Sequence, residues 1–341
     1  MGMVMMAINQ RSHLASTLPK WKAPVNAQNH NLPVSDRPSA AVTAPAHSLC
    51  YGNPFAKGTL MFTADLLKNK RILITGGGTG IGRALAERFL QLGASVYICG
   101  RRVEVIEQTA KDLMASTGGT CEAFPCDVRY DDDVEKAIGQ VWTGGPLDIL
   151  VNNAAGNFLA KTETLSAHAF DAVIGIVLKG TINVTMSCGR RWLAAKHPAV
   201  VLNIATTYAE NGSAYVVPSA VAKAGVLALT RSLAVEWGGR GIRFVAIAPG
   251  AIRTEGAFSR LLPTDAMEKA LLDHNPLRRL GTLEEISSLA AFLVSDHAGY
   301  INGEMVYMDG GEMLAGSSVF TLLGRNVPDA AWQLLKPKKT K

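Results

Sequence analysis

The 341-residue sequence has no uninterrupted apolar run of about eighteen residues, the length a helix needs to cross a bilayer, so no membrane span is expected. Cysteine is scarce. Its five copies (Cys50, Cys99, Cys121, Cys126, Cys188) are odd in number and include no CxxC pair, which speaks against a disulfide framework and a zinc site and suits a reducing compartment. The seven histidines show no HxxxH or related spacing, so metal chemistry is not expected. Acids are nearly missing from residues 1–60, where Asp36 stands against Arg11, Lys20, Lys22, Arg37 and Lys57. Four more lysines (Lys336, Lys338, Lys339, Lys341) close the chain, so the net charge of +6 sits on the two ends and the stretch between them is slightly acidic. Positive charge on tails, with no stripe across a folded part, gives no reason to expect a nucleic-acid partner.

What remains is an ordinary globular balance, 48% hydrophobic and 18% charged, long enough to bury one large core. Residues 1–60 are rich in Ala, Ser, Pro and Asn without helical or strand period and read as a disordered or targeting extension. Two readings stay open. The segment's lack of acids suits an organellar transit peptide and the mitochondrial matrix, although Pro19, Pro24, Pro33, Pro38 and Pro45 interrupt an amphipathic helix; alternatively Met61 is the true start and the protein is cytoplasmic. The folded domain is expected over 61–315, with a C-terminal extension and basic tail over 316–341.

From Lys70 onward, short apolar runs (72–74, 96–99, 149–151, 200–204, 244–248, 305–308) alternate with segments of helical period (81–92, 103–114, 219–237, 283–294). That alternation predicts one α/β domain, a doubly wound Rossmann-type parallel sheet with helices on both faces. Thr282 and Glu285, three apart, form a capping-box pattern at the last of these helices.

Directly after the first run comes Thr75-Gly76-Gly77-Gly78-Thr79-Gly80-Ile81-Gly82, opening a helical segment. Glycines let a backbone approach phosphates, and a helix N-terminus offers them free N–H groups, so this turn is a candidate dinucleotide site. At the end of the second strand, where an acid would meet a ribose 2′-hydroxyl and a base a 2′-phosphate, stand Gly100-Arg101-Arg102. NADP(H) is therefore the expected cofactor, with Arg101 on the phosphate.

The glycine spacing resembles the TGxxxGxG motif of short-chain dehydrogenases/reductases, and further landmarks follow in order over about 66–312. Asn152-Asn153-Ala154-Ala155-Gly156 resembles the family's NNAG element. Asp127 stands where the family's acid contacts adenine, and Pro249-Gly250-Ala251-Ile252 where the chain closes over the nicotinamide. Members that reduce carbonyls carry Tyr-x-x-x-Lys on one helical face, and here the lysine is Lys223 while Ser219 holds the tyrosine position. Thr206 replaces the usual serine and Val177 the usual asparagine.

The elements Asn157-Phe158, Thr206-Thr207-Tyr208-Ala209-Glu210, Ser219 with Lys223, and Gly256-Ala257-Phe258-Ser259-Arg260 resemble the 2,4-dienoyl-CoA reductases, mitochondrial type and bacterial relatives. That resemblance implies NADPH-dependent reduction of a 2,4-dienoyl-CoA to a trans-3-enoyl-CoA, in unsaturated fatty-acid β-oxidation, by a homo-oligomer, a tetramer. It implies Tyr208 as the acid, Asn157 as a second donor to the thioester oxygen, Ser219 assisting and Lys223 on the nicotinamide ribose. It further implies CoA-ester contacts at Arg129, Phe158, Ser166 and Arg260. Tyr215 reads as packing or a tunnel wall. Two other readings stand beside this one: reduction of other enoyl- or 3-oxoacyl-thioesters, and a catalytically silent NADP-binding scaffold.

Overall fold

A computed structural model describes residues 62–254 and 265–316. Seven parallel strands form one sheet in the order β3-β2-β1-β4-β5-β6-β7. They are β1 (Arg71–Thr75), β2 (Ser95–Gly100), β3 (Cys121–Pro125), β4 (Ile149–Asn152), β5 (Ala199–Ile204), β6 (Ile242–Pro249) and β7 (Met305–Met308). The helices are α1 (Gly80–Gln91), α2 (Val103–Thr117), α3 (Asp131–Trp142), α4 (Ala167–Ile174), α5 (Gly180–Ala195), α6 (Val217–Gly238), α7 (Asp265–His274) and α8 (Leu283–Val294), with α9 (Glu312–Gly316) after β7.

The strands alternate because successive side chains face opposite sides of the sheet. In β1, Ile72 and Ile74 join a layer built by Leu85 and Phe89 of α1, Ile106 and Leu113 of α2, and Ile286 and Leu293 of α8. Leu73 joins the opposite layer, built by Ile138 of α3, Val184 and Trp192 of α5, and Trp237 of α6. The sheet is thus buried on both faces, as parallel sheets require. Trp192 is fully buried, and its indole N–H donates to Leu147 O at 2.6 Å, so the polar edge of the ring is satisfied where water is excluded.

Three expectations need refinement. β3 is absent from the apolar runs read from sequence: Glu122 is exposed and Pro125 ends it, both tolerable because β3 is an edge strand paired with β2 alone. α3 was likewise not foreseen. Its first turn holds Asp131, Asp132 and Asp133, which favour a helix N-terminus, and Val134, Ala137, Ile138 and Val141 supply the buried stripe. An 18-residue window within Ala167–Ala195 reaches a mean hydropathy of 1.4, but half of that window is buried, and Val184, Cys188 and Trp192 pack against the sheet, so its apolarity belongs to the core. α4, α5, α7 and α9 also have no counterpart among the helical segments read from sequence; the elements that were read differ by a few residues at their ends, and α8 carries the capping box in full, Thr282 Oγ1 accepting from Glu285 N and Glu285 Oε2 from Thr282 N.

Strand order reverses between β1 and β4, the neighbours that both start outward-running halves of the sheet. Crevices at such switch points, beyond the carboxyl ends of the strands, are where α/β folds take ligands.

Candidate active site

The glycine turn after β1 is shaped by close contacts. Gly76 and Gly80 have φ of +67° and +54°, the left-handed region that only glycine enters without cost. A Cβ on Gly77 would lie 2.5 Å from Ile98 Cγ2, and one on Gly82 would lie 2.4 Å from the Gly76 carbonyl oxygen. α1 is therefore pressed onto the turn that precedes it. Thr109 of α2 donates to Gly78 O at 2.9 Å. The end of β4 braces the other side: Thr75 Oγ1 accepts from Asn153 N and Ala154 N, both at 3.0 Å, while Asn153 Nδ2 donates to Thr75 O and Gly76 O at 3.0 and 3.1 Å. Thr79 begins α1 without turning its side chain back as a cap, and no acid lies in the first turn, so the positive end of the helix faces outward past Thr79 and the half-buried Ile81.

At the end of β2, Arg101 and Arg102 are exposed. Asp127, past β3, is held by Arg129, whose Nε reaches both carboxylate oxygens at 3.0 Å and whose Nη2 reaches Oδ2 at 2.6 Å. Burial pushes the Asp127 carboxyl up, but the hydrogen bonds and charge of Arg129, with Arg101 beyond, outweigh it and hold the group below the usual carboxylate range. The residue read as an adenine contact and one read as a CoA contact are thus ion-paired to each other. Pro249 ends β6; Gly250 N donates to Met308 O at 3.0 Å, and a Cβ on Gly250 would meet Asp309 Cα at 2.8 Å. Gly281 N donates to Ala251 O and Ile252 bridges Gly281, which fixes this segment along the sheet end.

The reactive side is made of side chains. Tyr208 sits in a single tight turn, Thr207–Ala209, directly beyond β5. Its hydroxyl accepts from Asn157 Nδ2 at 3.2 Å and shares a hydrogen bond with Ser219 Oγ at 3.1 Å. Phe158 N donates to Asn157 Oδ1 at 2.9 Å, so the amide group is oriented with its NH2 toward the phenol. Ser219 and Lys223 are one turn apart on α6 and both buried. Lys223 Nζ donates to Ile204 O at the end of β5, and burial pulls the ammonium down to about 8.

Val177 lies on the π-turn Gly175–Lys179 between α4 and α5, fully buried, with Thr181 Oγ1 on its carbonyl at 2.7 Å. With Val173, Ala222 and Val226 it forms an apolar patch on which Phe158 packs. The valine at 177, where an asparagine is usual, thus adds apolar surface on this side of Phe158.

Ser166 is exposed and caps α4, accepting from Ala169 N at 3.3 Å. Tyr215 corrects one half of its reading: it is 57% exposed and so not packed in the core, with φ of +65° and its carbonyl accepting from Ala160 N at 2.9 Å. Arg260, with the segment from Gly256, lies outside the described residues.

Two polar groups beneath the site stand in motifs already read from the sequence, but in bracing roles that the motifs did not assign to them. Thr75 and Asn153 hold the glycine turn. Asn152 Nδ2 donates to Asn203 Oδ1 and Thr185 Oγ1, both at 2.9 Å, and Asn203 Nδ2 donates to Thr230 Oγ1 at 2.8 Å, a buried chain from α5 through β4 and β5 to α6. The doubled Asn152-Asn153 was the available signal, since two amides ending a buried strand demand partners.

The geometry places two donors and a buried cation beyond the strand end, next to a glycine turn suited to a pyrophosphate, an arrangement able to stabilise developing oxyanion charge. Comparison with known proteins agrees. The family model for enoyl-(acyl carrier protein) reductases matches residues 76–312. The Caenorhabditis elegans protein named probable 2,4-dienoyl-CoA reductase 3, (3E)-enoyl-CoA-producing, is 48% identical, with 72% of this chain and 81% of that protein covered. A Bacillus subtilis protein named probable 2,4-dienoyl-CoA reductase, (2E)-enoyl-CoA-producing, is 46% identical over 73% of this chain and 98% of its own. Among solved structures, a short-chain dehydrogenase from Bacillus anthracis is 42% identical with a TM-score of 0.65, covering 71% of this chain and 96% of that one. A gluconate 5-dehydrogenase from Burkholderia cenocepacia in complex with NADP and tartrate is 29% identical with a TM-score of 0.70, covering 74% and 98%. The fold, the ordered motifs and these likenesses together make this chain a member of the short-chain dehydrogenase/reductase family, an oxidoreductase.

Proposed function

We propose that the protein reduces 2,4-dienoyl-CoA thioesters with NADPH to trans-3-enoyl-CoA, with hydride added at C5 and a proton at C2. The observation that carries this reading is the hydrogen-bonded group Asn157–Tyr208–Ser219, which puts a phenol at the end of β5 while the helix position four before Lys223 holds a serine. Adding hydride to the far carbon of a conjugated thioester builds negative charge on the thioester oxygen, so catalysis calls for donors converging on that oxygen. Tyr208 and Asn157 are such a pair. Tyr208 then supplies the proton at C2, with Ser219 holding the phenol and Lys223 keeping the site electropositive and reaching for the nicotinamide ribose. Arg129, Phe158, Ser166 and Arg260 are the proposed contacts for the CoA ester, Arg129 exchanging part of its bond to Asp127 for a CoA phosphate.

The cofactor fits on this chain's own features. The glycine turn and the open start of α1 suit a pyrophosphate, and the exposed Arg101 and Arg102 suit a 2′-phosphate, which their planar forks hold better than a carboxylate would. NADPH, when bound, supplies the hydride. The B. cenocepacia complex with NADP supports the same choice. A homotetramer belongs to this reading, and light scattering checks it.

The test is NADPH oxidation by the purified protein with 2,4-hexadienoyl-CoA and, separately, a 3-oxoacyl-CoA, with the product double bond located by NMR. Turnover of the dienoyl substrate to the trans-3-enoyl product is expected. A trans-2-enoyl product, as in the name of the B. subtilis relative, would put the proton at C4 and remove the role given to Tyr208. Turnover of the 3-oxoacyl substrate alone, or tight NADPH binding with no thioester turnover, would overturn the reading in favour of a carbonyl reductase or a silent scaffold.

A further inference from the structure

The turn that carries Tyr208 is fastened by the residue two places on. Glu210 Oε2 accepts from the Tyr307 hydroxyl of β7 at 2.6 Å, and Glu210 Oε1 accepts from Arg231 Nη2 of α6 at 2.5 Å. One carboxylate therefore joins the turn to two elements that are far from it in sequence. These partners hold Glu210 below the usual carboxylate range, the Tyr307 hydrogen bond first and Arg231 second. Burial, and then the carboxylate itself, push the Tyr307 phenol up to about 12, so it remains a donor at any working pH.

On its apolar side the turn is seated by Ala209, buried with Ala205, Leu227, Ala246, Ala248 and Met305, and its other backbone ties are few. Ala209 N donates to Thr206 O and Gly212 N to Tyr208 O, both local; Gly212 and Tyr215 have φ of +73° and +65°, where the chain doubles back. The remaining backbone tie runs from Ala160 N to Tyr215 O and fastens the far end of the loop to the segment that presents Asn157. Without Glu210, Ala209 would still seat the turn, but its side-chain ties to Tyr307 and Arg231 would be gone.

We propose that Glu210 is a positioning residue for Tyr208: its hold on Tyr307 and Arg231 sets the turn at the one height where the phenol reaches Asn157 and Ser219 together. This rests on Tyr208 being the acid of the proposed reaction. Arg231 is 55% exposed on its side chain and Glu210 35%, and ion pairs so wet add little to stability, so the clamp acts on geometry and its removal leaves a folded protein. Displacements of an ångström or less at a proton donor are enough to slow the step it serves.

Glu210→Ala and Tyr307→Phe test this. Each is expected to lower kcat with 2,4-hexadienoyl-CoA about tenfold, with NADPH Kd within about twofold and melting temperature near that of the wild type. Glu210→Gln, whose amide oxygen still accepts from Tyr307, is expected to recover most of the loss. Hydrogen exchange of the 207–212 amides, read without substrate, is expected to quicken in Glu210→Ala while α6 amides stay protected. Wild-type kcat in Glu210→Ala, unchanged exchange over 207–212, or a parallel fall of kcat, NADPH affinity and melting temperature would each overturn the proposal. Exchange also separates the two readings: if the wild type does not turn over the dienoyl thioester, the functional reading fails and the amides still decide the clamp.

Discussion

The two halves of the site are held in place by different kinds of force. Around β1, α1 and β4, the nucleotide half is made of backbone: glycines at 76 and 80 take left-handed angles, glycines at 77 and 82 leave no room for a methyl group, and Thr75 with Asn153 stitches the turn to the next strand. Around β5 and α6, the reactive half is made of side chains that touch through single hydrogen bonds, Asn157 to Tyr208 to Ser219, over a buried lysine. The first half tolerates almost no substitution because it is defined by contact distance. The second can change its chemistry without changing its fold, which is how a family that reduces carbonyls can accommodate a serine at 219 and a phenol at 208. Rigid backbone carries what every member needs, and exchangeable side chains carry what distinguishes them.

If that contrast is right, the largest loss comes from a methyl group in the nucleotide half. Gly82→Ala sets a Cβ against the Gly76 carbonyl and is expected to weaken NADPH binding by about 100-fold or more, measured by fluorescence titration; binding within a few-fold of wild type would break the contrast. Arg101→Glu alters charge in the same half without touching the turn. It is expected to cut the NADPH-over-NADH preference in kcat/KM by about 10- to 100-fold, and an unchanged ratio would remove Arg101 from the 2′-phosphate.

Next comes a change in the reactive half that should stabilise the protein. Burial lowers the Lys223 ammonium to about 8, below its value in the unfolded chain, so the folded state holds the proton less tightly than the unfolded chain does. Below pH 8 the proton is bound in both states and the cost is complete; from about 8 to 10 the unfolded chain holds the proton more tightly, and stability recovers as pH rises. Lys223→Met is therefore expected to be more stable than the wild type by about 2 kcal/mol at pH 7, with the gap closing toward pH 10, at the expense of cofactor binding. Denaturant melts at the two pH values check this, and a gap that widens with pH would contradict it. The smallest effect belongs to neither half. Thr282→Ala removes the cap of α8 and is expected to cost about 1 kcal/mol in the same melts while leaving kcat unchanged.

How much of this was legible in the sequence follows the same division. The glycine turn, six of the seven strands and α8 with its capping box could be read from composition and period, because local physics dictates them. β3 could not, since an edge strand needs no continuous apolar run, and α3 went unread although its three leading aspartates and its buried stripe from Val134 to Val141 are both local signals. Tyr208 could be singled out as the residue type the chemistry calls for, but its distances to Asn157 and Ser219, fifty-one and eleven residues away, are products of the tertiary fold. The Arg129–Asp127 pair and Ser166 as a helix cap are local, two and three residues apart, but were read only for ligand contacts, and the aromatic-aliphatic neighbours of Tyr215 suggested packing where the side chain is exposed. Glu210 stood in an element that carried the resemblance, but its role was not legible, since its partners on α6 and β7 lie twenty-one and ninety-seven residues on.

The proposed reaction turns on the phenol at 208 as its acid, and Tyr208→Phe measures that most directly, because it deletes one oxygen and leaves the ring. With saturating NADPH and 2,4-hexadienoyl-CoA, kcat is predicted to fall by about 10²- to 10⁴-fold while the Kd for NADPH stays at its wild-type value. A variant that turns over at the wild-type rate would contradict it.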